Sequence, residues 1–359
     1  MAAASLVIAG AFGKAAVAEP SPSPVRIVAH RGATARYPEH SIPAYVRAIA
    51  DGADFIELDL VPTRDGVLIV RHENELSETT DIADRPELRD RRTAKQIDGK
   101  LRPGWFAEDL TLAEIRTLRL KERWPELRGR AEDGRHRILT FGEAIDVVAQ
   151  HAASAGRPIG LMPELKHSTY FRSIGLPLED RMLAELAAHP FTRSAPILVQ
   201  SFELANLRQL RPRIGGSPNI QLVQLAGKPD GIPADERGQT HPRRYGELLT
   251  PNGLKEVSTY ADGIDPGKAA VIAAGVGAAL GAPSSVVADA HAAGLFVVPG
   301  VFRPENRFLP AALHDGQPAD ARNDAGTLAE IRAYLDAGID LVFTDDPAVA
   351  RQAIRDHSQ

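Results

Sequence analysis

The chain has 359 residues, of which 43% are hydrophobic and 25% charged, with a net charge of -5 at pH 7 and no cysteine. This composition belongs to an ordinary globular protein, large enough for one α/β barrel or two modest domains, and excludes a fibrous or disordered chain. The acidic balance argues against a nucleic-acid binder that works through a broad basic surface, and for a small-molecule substrate.

The opening "MAAASLVIAGAFGKAAVAEPSPSP" holds a short apolar run and then "AVA" before Glu19. It reads as a signal peptide over 1–18 followed by a linker over 19–24, which implies a periplasmic or secreted protein. No Lys or Arg precedes the apolar run, a departure from the usual pattern. The run is too short to span a membrane, so no transmembrane span is expected in the mature chain. The lack of cysteine suits export and cytoplasm equally.

From residue 25 onward, short apolar runs alternate with helical segments, the rhythm of βα units around a parallel sheet. "VRIVAHRG" reads as a strand, and "SIPAYVRAIADG" as a helix capped by Ser41 and stopped at Gly52. The strands "DFIELDL", "GLMPELK", "ILVQSFE", "IQLVQL", "ADGIDP", "LFVVPGVF" and "IDLVFTDDP" follow, making eight. Eight βα units predict a TIM barrel. "GKAAVIAAGVGAALGAP" reads as helical on its alanine content. The polar, Arg-rich stretch from about 74 to 137 is too long for a barrel loop. It reads as a small inserted subdomain over the barrel mouth, with one helix starting near Thr111.

"VLIVRHE" follows "DFIELDLVPT" after only "RDG", which is too short for a crossover helix and predicts a hairpin with Asp65 and Gly66 in a type I′ turn. Counting outward from that turn, His72 falls directly across from Asp59. Glu57 and Asp59 are two apart on one strand and therefore share a face. Such a hairpin gathers two carboxylates and an imidazole at the strand ends where barrel enzymes keep their chemistry.

Burying these acids requires partners or an ion. Glu57, Asp59 and Glu164 of "MPELKH" put three carboxylates at strand ends, a set that suits Ca²⁺ or Mg²⁺ and not zinc. For one acid alone, an ordinary pairing with Arg or Lys is the simpler explanation; for three on converging strands it is not. His30 and His72 offer two imidazoles able to take and give protons near neutral pH, as phosphodiester cleavage needs. Arg31 supplies a fork that matches phosphate geometry, and Lys166 could share that work. His136, His151 and His189 read as surface residues.

The blocks "AHRGA", "PEHSIPAY", "FIELDLVPTRDGVLIVRHENELSETTDIA", "GWFAEDLTLAEI", "LTFGEAID", "PELKHSTYFRSIGLPLE", "VQSFE" and "VFTDDPAVA" closely resemble the glycerophosphodiester phosphodiesterase family, in particular its periplasmic branch with a long insertion after the hairpin. The resemblance implies a TIM barrel that hydrolyses glycerophosphodiesters, such as glycerophosphocholine and glycerophosphoethanolamine, to sn-glycerol 3-phosphate and an alcohol. It implies one divalent cation, Ca²⁺ ahead of Mg²⁺, held by Glu57, Asp59 and Glu164. His30 and His72 match the acid/base pair, and Arg31 the group that stabilises the phosphoryl oxygens. Glu39 of "PEHS", Lys166, Gln200 and Phe202 match substrate-site positions. In this chain Val298, Gly300 and Met162 stand where relatives carry His or aromatic residues, which predicts a smaller or reshaped alcohol pocket. Two other functions stay open on the sequence alone: a phosphodiesterase acting on lysophospholipids or phosphoinositides, and a non-catalytic exported binding protein.

Overall fold

The computed structural model describes residues 25–275 and 280–359; the signal peptide and linker expected over 1–24 lie outside them. Eight parallel strands form the barrel: β1 (Arg26–Ala29), β2 (Phe55–Pro62), β3 (Gly160–Leu165), β4 (Ile197–Ser201), β5 (Ile220–Leu225), β6 (Gly263–Asp265), β7 in two pieces (Phe296–Val297 and Gly300–Phe302) and β8 (Leu341–Thr344). The broken strand closes the ring. Its first piece pairs with β6 and its second with β8, and β8 pairs with β1.

Among the described residues the longest helix after each strand packs outside it: α1 (Ile42–Ala50), α2 (Phe141–Ala155), α3 (Leu178–Ala188), α4 (Leu204–Leu210), α5 (Pro251–Val257), α6 (Val286–Ala292), α7 (Asp324–Asp336) and α8 (Pro347–His357). Ser41 Oγ accepts from the amide of Ala44 to start α1, and Gly52 takes a φ of +97° just after its end, as the sequence predicts. No helix among the described residues is long and apolar enough to cross a membrane.

The period of two along each strand divides the chemistry from the packing. Ile56, Leu58 and Leu60 of β2 face the helices and belong to the large outer core. On the other face, Phe55 joins Val28, Met162, Leu198, Val223, Leu225, Val298, Leu341 and Phe343 inside the barrel. Above this apolar layer the same strand faces carry Glu57, Asp59 and Glu164, with Asp59 in register beside Glu164 and Glu164 beside Gln200. Met162 and Val298 are fully buried in the barrel interior, so they are core fillers and not the pocket wall expected from the sequence. A Cβ on Gly300 would come within 2.6 Å of the Phe343 ring, so that glycine answers to packing too.

The hairpin after β2 differs from expectation by one residue. Thr63 pairs with Val67 and Leu60 with Val70, leaving a three-residue loop with Gly66 at φ +80°. That is a type I turn with a bulge, not the two-residue I′ turn. The shift puts Arg71 across from Asp59, with the Arg71 amide donating to the Asp59 carbonyl at 2.9 Å. His72 lies just beyond the paired strand Leu68–Val70. A second Asp-Gly does make the I′ turn: Asp98 (φ +46°) and Gly99 (φ +75°) join the strands Thr93–Ile97 and Lys100–Gly104.

That second hairpin belongs to the segment 74–137, which otherwise consists of 3-10 turns and two four-residue helices, Leu112–Ile115 and Pro125–Arg128. Thr111 and Glu114 form a reciprocal capping box at the first. The stretch 267–283 is not one helix: its described part is a four-residue helix, Lys268–Val271, followed by the antiparallel strands Ile272–Ala274 and Leu280–Pro283. A Cβ on Gly281 would meet the Ala273 carbonyl at 2.7 Å, so the strands approach closely where glycine allows it, and local alanine propensity is overridden.

Candidate active site

Three carboxylates converge at the mouth. Glu57, Asp59 and Glu164 are buried, with one oxygen from each within 4.8 Å of the others. Lys166 Nζ lies 2.7 Å from Glu164 Oε1 and 3.5 Å from Asp59 Oδ1. Arg31 Nε lies 3.1 Å from Asp59 Oδ2, its Nη1 donates to Glu39 at 2.9 Å, and its backbone amide donates to Glu57 at 2.8 Å. Arg31 reaches this position in a left-handed conformation, φ +59°, just before Gly32 at φ +98°. A non-glycine residue held there costs about 1–2 kcal/mol. A Cβ on Gly32 would fall 2.8 Å from Ala44, so the turn also needs its glycine for space.

The two fixed cations do not balance the cluster. Burial pushes Glu57 well above the usual carboxylate range, and the neighbouring Asp59 adds to it. Burial raises Glu164 to about 7 against the opposing pull of Lys166. At Asp59 burial acts in the same sense, but Lys166 and Arg31 together hold that carboxyl well below its ordinary value. Asp59 Oδ1 and Gln200 Oε1 are buried without a hydrogen-bond partner. An all-oxygen donor set with surplus negative charge and unpartnered oxygens fits a hard divalent cation.

The two expected histidines sit in matching surroundings. His30 Nδ1 is 2.7 Å from Asp345 Oδ1, and His72 Nδ1 is 2.5 Å from Glu73 Oε1. Burial, with Arg31 next, lowers His30 to about 4 although Asp345 opposes the change. Burial, Arg31 and Lys166 lower His72 to about 3. Both rings are therefore neutral near pH 7.

Gln200 Nε2 contacts Glu57 Oε1 at 3.4 Å, and Glu39 also pairs with Arg123 and lies 3.7 Å from Arg71. Phe202 is 39% exposed and forms one wall of a cleft of about 160 Å³ with Glu164, Lys166, Asp98, Arg237 and Tyr245. On the opposite side, Glu122, Arg123, Trp124 and Arg128 pack against His30, Arg31 and Glu39 and leave only about 10 Å³ between them. The ten expected residues thus lie around one barrel mouth.

The sequence reading missed several residues here. His40 is buried between Asp59 Oδ2 (3.0 Å) and Tyr45 OH (2.9 Å); its place next to Glu39 was the available signal. Asp345, Arg123 and Arg128 carried none, because their partners are remote in the chain, whereas Glu73 stands directly after His72, which was its available signal. His136, His151 and His189 are half-buried away from this mouth, each bonded to a nearby residue of its own segment.

Fixed cations for phosphoryl oxygens and imidazoles for protons, at the rim where barrels keep their chemistry, define a phosphodiester hydrolase. The pattern of the glycerophosphoryl diester phosphodiesterase family matches residues 30–349. A glycerophosphodiester phosphodiesterase of Arabidopsis thaliana is 33% identical over 295 residues, covering 79% of this chain and 75% of its own length. One from Haemophilus influenzae is 28% identical over 259 residues, covering 67% of this chain and 68% of its own. Among solved structures, a Silicibacter pomeroyi protein assigned to the same family superposes with a TM-score of 0.64 at 21% identity, over 94% of this chain and 95% of that one. An Oleispira antarctica phosphodiesterase in complex with the product sn-glycerol-3-phosphate gives 0.57 at 18%, over 92% and 96%. The chain belongs to the glycerophosphoryl diester phosphodiesterase family.

Proposed function

We propose that the protein hydrolyses glycerophosphodiesters such as glycerophosphocholine and glycerophosphoethanolamine to sn-glycerol 3-phosphate and the free alcohol, with His30 and His72 as the acid–base pair. The observation that carries this reading is that both imidazoles, each tied through Nδ1 to a carboxylate, share one mouth with the carboxylate cluster. An imidazole that donates its Nδ1–H keeps Nε2 free to accept a proton. Burial lowers these imidazoles first, and Arg31, at His72 also Lys166, add a cationic part to the shift; the same cations suit phosphoryl oxygens. A phosphodiester anion bound between them offsets that cationic part, so both rings rise toward the range where one accepts a proton and the other donates.

Arg31 and Lys166 hold the phosphoryl oxygens, Glu39 fixes Arg31, Gln200 fixes Glu57, and Phe202 supplies an apolar wall. Glu57, Asp59 and Glu164 would hold one divalent cation, Ca²⁺ ahead of Mg²⁺, which supplies Lewis-acid stabilisation of phosphoryl charge when bound. We further assign export to the chain on its apolar start, with residues 74–137 as the insertion of the periplasmic branch; the amino terminus of the mature protein should then be Glu19.

The test is release of sn-glycerol 3-phosphate from glycerophosphocholine, with EDTA and then Ca²⁺ or Mg²⁺ added back. His30→Ala and His72→Ala should each lower turnover by roughly 100-fold or more. Near-normal turnover in either variant overturns the acid–base assignment.

A further inference from the structure

The insertion segment that closes the His30 side of the mouth reaches both imidazoles through one kind of contact. Arg128 Nη2 binds Asp345 Oδ2 at 2.7 Å, while Asp345 Oδ1 faces His30. Arg123 Nη2 binds Glu73 Oε2 at 2.6 Å, while Glu73 Oε1 faces His72. At Asp345 the arginine takes the carboxylate oxygen that the imidazole does not; at Glu73 Arg123 grips both oxygens, its Nη1 also donating to Oε1 at 3.2 Å. A carboxyl group gripped by a guanidinium is restrained from rotating, so the oxygen that faces Nδ1 stays in place, and that contact fixes the ring's tautomer and plane.

We propose that Arg123 and Arg128 are positioning residues that set the two imidazoles from a single inserted segment. The two carboxylates come from distant parts of the chain: Glu73 directly follows His72 after the β2 hairpin, whereas Asp345 follows β8 and lies 315 residues from His30. Arg128 is itself fixed, with Nε on Glu305 at 2.9 Å, Nη1 on the Thr34 carbonyl at 2.9 Å, and its guanidinium 4.8 Å from the centre of the Trp124 ring. Arg123 is fixed by Glu39, which Arg31 also binds. The insertion therefore acts on proton transfer and does more than cover the mouth. Simple anchoring of the insertion would explain the ion pairs, but not why both arginines end on the carboxylates that hold the histidines.

The inference rests on the acid–base reading above, and double-mutant cycles separate the two. Arg128→Ala should lower kcat for glycerophosphocholine roughly 10- to 100-fold, with KM within about 3-fold of wild type. In a His30→Ala background the same change should cost less than about 2-fold, because its route is already gone. Arg123→Ala should likewise lose most of its effect in His72→Ala. Losses that multiply in these backgrounds, or full activity in Arg128→Ala, overturn the positioning role while leaving the acid–base reading intact. Near-normal turnover in His30→Ala itself overturns both. Arg303 Nε reaches the same Asp345 oxygen at 3.2 Å, against 2.7 Å for Arg128, so in the variant it keeps the carboxylate charged but holds it more loosely, which makes the loss expected of Arg128→Ala partial. If thermal unfolding shows that Arg128→Ala does not fold, Arg128→Lys, which keeps the charge without the fork, goes through the same cycle.

Discussion

Replacing His30 should change how stability responds to acid. The ring is buried and held neutral down to about 4 by burial and Arg31, whereas in the unfolded chain it takes a proton near pH 6.5. Unfolding therefore takes up a proton in between: the contribution is fully present above about 6.5 and is lost as pH falls toward 4. Each unit is worth about 1.4 kcal/mol, so wild type should lose about 2–3 kcal/mol more than His30→Gln between about pH 7.5 and about pH 4.5. The Asp345 carboxyl exposed by the change stays ionised, since Arg128 and Arg303 hold it low against its burial, and it adds no new titration. Equilibrium urea denaturation at the two pH values, read by the fluorescence of Trp105 and Trp124, measures the difference. Parallel losses in the two proteins would refute the argument. The same neutral ring places the acid limb of kcat/KM near 4, not near 6.5.

Calcium at about 100 times its Kd should stabilise the protein by about 2.7 kcal/mol, and Glu164→Gln should abolish most of that gain; a thermal shift with and without the ion reads it, and an unchanged shift in the variant counts against the carboxylate site. Gly66→Ala forces a side chain into φ +80° and should cost about 1–2 kcal/mol, visible as a lower urea midpoint with turnover unchanged. The new Cβ meets only the flexible end of Arg181, at 3.1 Å. Gly160→Ala would place a Cβ 2.3 Å from the Phe55 ring and 2.7 Å from the Pro196 carbonyl; a loss of about 1–3 kcal/mol is expected, partly restored by adding Phe55→Leu. Wild-type stability in Gly160→Ala would contradict the packing described for β2 and β3.

The barrel was legible because each strand is an apolar run bounded by turns and five of the eight helices named start at a side-chain cap, from Ser41, Thr140, Thr250, Asn323 and Asp346, all local signals. The acids stood out because charges inside such runs break the pattern. What failed was set by single backbone conformations or by distance along the chain. Asp65-Gly66 and Asp98-Gly99 are the same dipeptide, yet only the second makes a two-residue turn; the first recruits Arg64 into its loop and so moves Arg71, not His72, across from Asp59. Met162 and Val298 looked like pocket residues because the family resemblance puts His or aromatic residues at those positions, but the period of two and the depth along the strand put them in the barrel core. His30 and Asp345 meet only because β1 and β8 close the ring, which no local spacing records.

The apolar side chains of Val28, Phe55, Met162, Leu198 and their neighbours make the barrel a cup with a sealed floor, not a tube. Substrate, water and both products must then share one entrance, next to the cleft of about 160 Å³ beside Phe202. Traffic through a single door is sequential, so a product that lingers there bars the next substrate. A diester with a long acyl chain could bring only its head group inside, its tail left in the doorway against Phe202.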